Sequence, residues 1–488
     1  MSSQPPNPPA ARWTLPTVLA SLLVGAALTT GLLTACLRHG PDDAPAAGAG
    51  SSPPSDGRPK LFAGWPVGKS PDIALILTGQ QHSYLKFCGC STPQLGGFER
   101  RYNFMASLKA RGWPLVAADL GDLVQFTGGI HDQALLKYET EMKAMEILDY
   151  KAVGVGADDF ALPLIDGMSR FTLQKPTAFP RVLAANLDPA YRAQNFPDPV
   201  NAQKSMIGDW LPVKDNRNPN TPLVGIVGLI GRTAQQKIQV TDPNAKFANN
   251  AAVLAAALKE MAAAKVEFRV LLFQGSFLDA NAIAGQHFKN EFDVILCFSD
   301  EDTPPQQEAV VGNTMIIRVG HKGKFIGVVG AFRTANPAKP FDLYYQLVPM
   351  GEEYETPKGQ EANHPVLTLL DHYAQEVKDQ NFLGRVPQRP VPLSPVLTPL
   401  GVKPPAYVGT DKCVACHQHQ VDRTAAVWQN SKHAHAYTAL SKVASKPALR
   451  QYDPECISCH VVGYGFQGGF TGHRQTPQME NVGCESCH

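Results

Sequence analysis

Short apolar runs alternate with stretches of helical periodicity through the middle of this chain. Ile73–Leu77, Leu115–Asp119, Ala152–Val155, Val182–Ala185, Val224–Leu229, Val270–Phe273, Val294–Cys297, Met315–Val319 and Phe325–Val329 read as strands, being short, β-branched and flanked by polar or glycine-containing segments. Segments 97–111, 133–148, 248–264 and 364–379 repeat apolar positions at helical spacing and predict helices. Strands of this kind separated by helices predict an α/β domain over 61–383 with a largely buried sheet. Residues 407–488 have a different texture: few long apolar runs, and many Cys, His and Gly. Such a segment cannot bury enough side chain to fold by itself, so a bound group must supply part of its core.

Two breaks in the pattern mark linkers. Residues 37–60 are rich in Pro, Gly, Ala and Ser and read as a flexible tether. Residues 384–406 hold seven prolines and read as an extended, semi-rigid connector. Ahead of the tether, Trp13–Ala35 is uncharged, mostly apolar and preceded by Arg12, as in an export signal. It ends in Leu33-Thr34-Ala35-Cys36, which resembles a bacterial lipobox and implies cleavage before Cys36 and lipid modification of that cysteine. An uncleaved membrane anchor and a plain signal peptide remain open. All three place the rest of the chain outside the cytoplasmic membrane, on the periplasmic face.

Composition adds little until the cysteines are sorted. A net charge of +1 over 488 residues gives no global field for nucleic acid. Of the ten cysteines, six fall in three Cys-x-x-Cys-His motifs: Cys413, Cys416 and His417; Cys456, Cys459 and His460; Cys484, Cys487 and His488. This is the attachment signature of c-type haem. Thiols three positions apart share one face of a helical turn and can form thioethers to the two vinyl groups of one porphyrin, and the adjoining histidine reaches the iron as proximal ligand. A chance match has a probability on the order of 10⁻⁵ per position, so three copies exclude accident. Zinc also uses Cys-x-x-Cys pairs, but it needs no histidine after every pair.

From Tyr407 onward, YVGTDKCVACHQHQ, WQNSKHAHAYTAL, DPECISCHVVGYG and NVGCESCH are similar to exported multihaem cytochromes c related to the tetrahaem carriers of hydroxylamine oxidation. The resemblance implies a small, mostly helical and irregular domain with proximal ligands His417, His460 and His488. It favours His433 and His435 as distal ligands. His473 is a weaker candidate, His419 reads as solvent-facing or as support for another ligand, and Met479 is the one methionine of the segment. Mainly bis-histidine haems of low potential are therefore expected. In the family the last motif runs on into further sequence, so the chain reads as truncated at His488, with at least three haems here and four or more when intact.

The middle domain resembles the metallophosphoesterase superfamily, in particular bacterial 5′-nucleotidases. LTGQQHSYL (77–85), LGGFERR (95–101), ADLGDLVQ (118–125), VGVGADDF (153–160), LLFQG (271–275) and DVILCFSDE (293–301) carry the resemblance. It implies a four-layer αββα sandwich. The chemistry does not carry over. That family holds two divalent ions, and of their ligands only His82 and the bridging carboxylate, Asp122, stand. Gln80 replaces the first Asp, Ala157-Asp158 replaces an Asn-His pair, and the later histidines fall on Phe273 or Gln274 and on Ser299–Glu301. A divalent metal is not expected. The leftover Cys88, Cys90 and Cys297 fall at strand ends and are expected near the old active-site mouth, as a disulfide or as soft ligands.

These readings converge on an exported, lipid-anchored multihaem cytochrome that relays electrons between periplasmic or membrane partners, joined to an inert phosphoesterase-like scaffold. Two alternatives are a multihaem oxidoreductase acting on a small nitrogen or sulfur compound and a residual metal-dependent phosphohydrolase. A third gives the large domain a ligand-binding role.

Overall fold

The computed structural model describes residues 61–488, apart from 88–91, 127–129, 175–178, 200, 202–203, 216–217, 394–400, 402, 404, 419–422, 443–448 and 488. Thirteen strands are found among them. In chain order they are β1 (Ile73–Thr78), β2 (Leu115–Asp119), β3 (Tyr150–Gly154), β4 (Arg181–Leu183), β5 (Ile207–Gly208), β6 (Trp210–Val213) and β7 (Val224–Ile230). There follow β8 (Phe268–Gln274), β9 (Val294–Cys297), β10 (Ala309–Val311), β11 (Thr314–Ile317), β12 (Phe325–Arg333) and β13 (Phe341–Pro349). The helices of the large domain are α1 (Phe98–Ala110), α2 (His131–Ile147), α3 (Leu164–Gln174), α4 (Pro189–Asn195), α5 (Arg232–Thr241), α6 (Asn250–Ala263), α7 (Phe277–Ala282), α8 (Pro365–Asp379) and α9 (Phe382–Arg385).

The strands form two sheets, ordered β13-β12-β1-β2-β3-β4-β5 and β10-β11-β9-β8-β7-β6. Pairings from β1 to β5 are parallel, as are those joining β7, β8, β9 and β11, while β6, β10, β12 and β13 pair antiparallel at the margins. Period-two alternation sorts the side chains. Ile73, Leu75 and Leu77 face Val270, Leu272, Val294 and Leu296 across the inter-sheet core, whereas Ile76 points to a second core with Phe98, Phe104 and Met142 of the outer helices. On the far side Leu271, Phe273, Ile295 and Cys297 pack against Leu254, Ala257 and Met261 of α6. Two sheets covered by helices on both outer faces make the four-layer αββα sandwich that the resemblance implies.

The nine expected strands and four expected helices are present, some with shifted ends. The elements without a sequence signal are informative. β13 reads FDLYYQLVP, and five of its nine residues are only half-buried in succession because it is an edge strand, so no apolar run announces it. Helices α3 and α5 also escaped the reading.

The C-terminal segment is helical and irregular. It holds α10 (Thr410–Val414), α11 (Thr424–Gln429), α12 (Ala436–Lys442), α13 (Pro454–His460) and several 3₁₀ turns. Against expectation it has a small apolar core of its own: Tyr437, Leu440, Ile457, Val461, Val462, Phe470 and Met479, with Leu383 and Tyr407 against its edge. The proline-rich connector is more structured at its start than expected. It opens within α9, and Arg389 is stitched to the C-terminal segment by Arg389 N to Gly465 O (2.9 Å) and Gln467 N to Arg389 O (2.8 Å). Among the described residues no helix is long and apolar enough to cross a membrane. The signal-like segment with Cys36 lies outside them.

Candidate haem attachment sites and a remnant cleft

The second motif is the most fully built. Asp453 caps α13 by accepting from Glu455 N at 3.0 Å, and Pro454 fits the first turn, where no amide partner is needed. Ile457 is buried while Cys459, two residues on, is exposed, so the helix turns its apolar face inward, with Cys456 half-buried against the small core and Cys459 toward the surface. Burial pushes the Cys456 thiol up to about 12, with Asp453 adding to the effect, so it is a neutral thiol at pH 7. His460 ends the helix with Nδ1 2.7 Å from the Ala436 carbonyl oxygen. A carbonyl can only accept, so Nδ1 carries the proton and Nε2 keeps its lone pair. That tautomer suits a proximal iron ligand.

The first and third motifs are joined to each other. In the first, α10 buries Val414, leaves Cys413 half-buried and leaves Cys416 and His417 exposed. Its leading residues Val408 and Gly409 donate their amides to the Glu485 carboxylate at 2.8 and 2.7 Å, inside the third motif. Cys484 begins a 3₁₀ turn there, and burial followed by the neighbouring Cys413 thiol holds its own thiol above the ordinary range. All seven described cysteines are free thiols, so the attachment residues are uncommitted to disulfides. His488 lies outside the described residues.

The distal candidates separate. His433 and His435 sit exposed on one 3₁₀ turn. That turn is anchored on two sides: His433 O accepts from Val482 N at 3.1 Å, and Ala436, the next residue, accepts from His460. His473 is exposed, stacks on Tyr437 with centroids 6.0 Å apart, and has its Nδ1 engaged by Glu480. Met479 is 2% exposed within the apolar core, where its carbonyl accepts from Val462 N, so it serves packing. His419 lies outside the described residues.

In the large domain the expected remnant residues converge on the carboxyl edge of the first sheet. Gln80, His82, Ser83 and Asp122 all hold left-handed backbone, with φ of 52°, 51°, 69° and 54°. The sequence resemblance puts Gln80 at an expected metal-ligand position. Its amide instead spans Ser299, donating to Ser299 O and accepting from Ser299 N, both at 2.9 Å. Asp122 accepts from Asp158 N at 2.8 Å, and Asp159 beneath it accepts from Asp122 N, Leu123 N and Gly156 N, each at 2.9 Å. Burial first, then Asp159 and Asp158, hold the Asp122 carboxyl well above its usual range. Asp159 is pushed up to about 7 by burial.

His82 is pushed down to about 4 by burial and is neutral at pH 7. Its Nε2 lies 3.7 Å from Asp158 Oδ2 and makes no hydrogen bond. His321, which sequence reading missed, stacks beside it with centroids 5.9 Å apart. The glycines on either side of its VGHKGKF loop were the available signal. At the positions where the resemblance expects later histidines, Phe273 fills the helix-side core, Gln274 donates to Leu120 O at 3.1 Å, and Glu301 pairs with Arg318 at 2.6 Å. Among the described residues no three His, Cys, Asp or Glu are placed to hold a metal ion. Cys297 faces the helix-side core rather than the cleft, and burial pushes its thiol up to about 12; Cys88 and Cys90 lie outside the described residues.

The second motif docks on the large domain. Gln133 of α2 donates to Asp453 Oδ1 at 2.8 Å and to Tyr373 Oη at 3.1 Å, and Lys137 pairs with Glu455. Tyr464 donates to Leu383 O at 2.9 Å, and the Lys378 ammonium lies 5.0 Å from the centre of the Tyr452 ring. These partners are as many as 320 residues apart, beyond any local pattern.

Residues 412–488 match the family model of cytochrome c554 and c-prime. Cytochrome c-554 of Nitrosomonas europaea is 35% identical over 92 residues, 17% of this chain and 37% of that protein. The C-terminal segment carries the cytochrome c554 pattern. For the large domain, a 5′-nucleotidase precursor of Thermus thermophilus superposes with a TM-score of 0.50 at 18% identity, covering 65% of this chain and 61% of that one. The sulfate thiohydrolase SoxB of the same organism, at 15% identity, covers 64% of this chain and 62% of its own with a TM-score of 0.48. The chain thus spans little more than a third of its cytochrome relative and about three fifths of the nucleotidase. The fused molecule combines a cytochrome c554-type segment, for which the family implies haem c, with a 5′-nucleotidase-like fold.

Proposed function

We propose that this chain is an exported electron carrier whose c-type haems sit in the cytochrome c554-like segment, with the 5′-nucleotidase-like domain as a scaffold that performs no phosphoester hydrolysis. The observation that carries this reading is the second motif, where free thiols on one turn adjoin a histidine whose Nδ1 is committed to a backbone carbonyl. Cys413 and Cys416, Cys456 and Cys459, and Cys484 and Cys487 would hold three haem c groups, with His417, His460 and His488 as proximal ligands. When bound, those haems supply reversible one-electron chemistry at iron. The chain's own residues fix the ligand tautomer at His460, hold the SKHAHA turn between two motifs, and tie the first motif to the third through Glu485. The partners are redox proteins on the periplasmic face of the membrane, and lipid at Cys36 keeps the carrier there.

The test is expression with export and haem maturation, followed by peptide mass analysis and a reductive titration. Three covalent haems and stepwise reduction at low potential are expected. Absence of covalent haem would end the proposal. Replacement of Cys36 by Ala should release the protein from the membrane fraction.

A ligand-binding role for the large domain is the second reading. Four left-handed residues gathered at one sheet edge, beside an unpartnered His82 Nε2, favour it.

A further inference from the structure

Helix α2 carries a lysine into the seam between the two domains. The Lys137 side chain is 5% exposed, and its ammonium donates to Ser83 O at 3.1 Å and pairs with Glu455, which is 57% exposed. Glu455 directly precedes Cys456, the first attachment thiol of the second motif. The charged and titratable groups around this lysine are Glu455 and Asp453 from the cytochrome segment and Glu141 from its own helix, while Tyr373 of α8 lies close to Asp453 and Glu455. Burial by itself would push the ammonium down. The carboxylates of Glu455 and Asp453 outweigh it and hold Lys137 above its ordinary value, so it remains a cation. Gln133, one turn earlier on the same helix, makes a neutral contact to Asp453 across the same seam.

We propose that Lys137 and Glu455 form a charge pair, one member from each domain, that sets the reduction potential of the haem attached through Cys456 and Cys459, with Lys137 raising it and Glu455 lowering it. This deepens the electron-carrier reading and rests on haem being attached at that motif. The reason is electrostatic. Reducing a haem adds one electron, so a fixed cation nearby favours the reduced form and a fixed anion favours the oxidised form. The effect of Lys137 is strengthened by its burial, whereas that of Glu455, 57% exposed, is weakened by solvent. Lys137 is a positioning residue here, since it touches neither thiol nor ligand. The arrangement makes the potential of one haem depend on docking between domains, because the cation is present only when α2 lies against α13.

The test is a spectroelectrochemical titration of the haem-loaded chain and of Lys137→Met, Glu455→Gln, the double variant, Lys137→Arg and Gln133→Leu. One haem component should fall in potential in Lys137→Met and rise in Glu455→Gln. It should return toward the wild-type value in the double variant and stay near it in Lys137→Arg and Gln133→Leu. A merely structural seam would behave differently, since loosening it exposes the haem equally whichever partner is lost. Shifts of the same sign in both single variants, no shift in either, or an equal shift in Gln133→Leu overturn the proposal. If Lys137→Met fails to fold, an unmoved potential in Glu455→Gln still overturns it. Peptide mass analysis separates the two levels: haem missing from Cys456 and Cys459 in the wild-type chain defeats the electron-carrier assignment of this motif, whereas haem present with unmoved potentials defeats only the charge-pair proposal.

Discussion

The large domain and the cytochrome c554-like segment bury apolar surface on different scales. In the sandwich, β1, β7, β8 and β9 contribute side chains that are almost fully inaccessible to three separate cores. In the C-terminal segment one core of seven residues serves four short helices, and the cysteines of its motifs are half-buried or exposed. The first region has the interior that a chain of its size needs to fold unaided; the second needs something else to cover its inner surfaces. Apolar porphyrin faces held by six thiols are suited to that. A group that completes a core can also carry electrons.

The most severe way to break the comparison is to withhold haem. A chain with all six motif cysteines changed to Ala should lose the fold of 407–488 altogether while 61–383 stays protected in limited proteolysis. Equal resistance of both regions would show that the seven-residue core suffices. Next comes core truncation. Phe268 is fully buried and packs edge-on to Phe341 at 5.3 Å, so Phe268→Ala should lower sandwich stability by about 3–5 kcal/mol in denaturant unfolding. Phe470→Ala removes an equally buried ring from the small core, yet it should leave the sandwich transition unmoved and speed cleavage only in the C-terminal segment.

A pH series sharpens the contrast at the remnant cleft. His82 titrates at about 4 when folded against 6.5 for the unfolded side chain. Between those values the unfolded chain binds a proton that the folded one refuses. The His82 contribution to stability is therefore complete above pH 6.5 and is lost as the pH drops toward 4, by up to roughly 3 kcal/mol, while Asp122 and Asp159, held above the usual carboxylate range, act in the opposite direction. Urea unfolding at pH 7 and pH 5 measures this. His82→Asn, whose side chain tolerates φ of 51°, should lose less stability than the wild type between pH 7 and pH 5, and an equal loss in both would assign the dependence to other groups.

What could be read from the sequence follows the range of the physics involved. Strands with continuous apolar runs were legible because both faces are buried, and the haem motifs because covalent chemistry fixes their spacing. β13 was not, since an edge strand mixes Tyr, Gln and Asp with its apolar positions. The apolar core around Ile457 and Phe470 was missed because its members are scattered among Gly and His. Lys137 and Asp159 gave no local sign, since what defines each is a partner brought near by folding, and His321 offered only the glycines that flank its loop. The hydrogen bonds of Gln80 to Ser299, just past the end of a distant strand, gave no sign in the sequence.

That pair of hydrogen bonds yields the smallest expected effect and the most direct reading of the large domain's history. Gln80 satisfies both backbone groups of Ser299 from a buried position. Gln80→Glu keeps the acceptor and removes the donor, leaving Ser299 O unpaired, and it adds a carboxylate to an edge that already holds Asp122, Asp158 and Asp159. A loss of about 1–3 kcal/mol is expected in urea unfolding. Gln80→Asp restores the residue type of the family but is one methylene too short to reach Ser299 as Gln80 does. With Phe273, Gln274 and the Glu301–Arg318 pair still occupying the later ligand positions, it should show no hydrolysis of a phosphomonoester with added Mn²⁺ or Zn²⁺. Metal-dependent turnover in that single variant would mean that the cleft has lost one ligand rather than its chemistry, and the scaffold role of the domain would have to be given up.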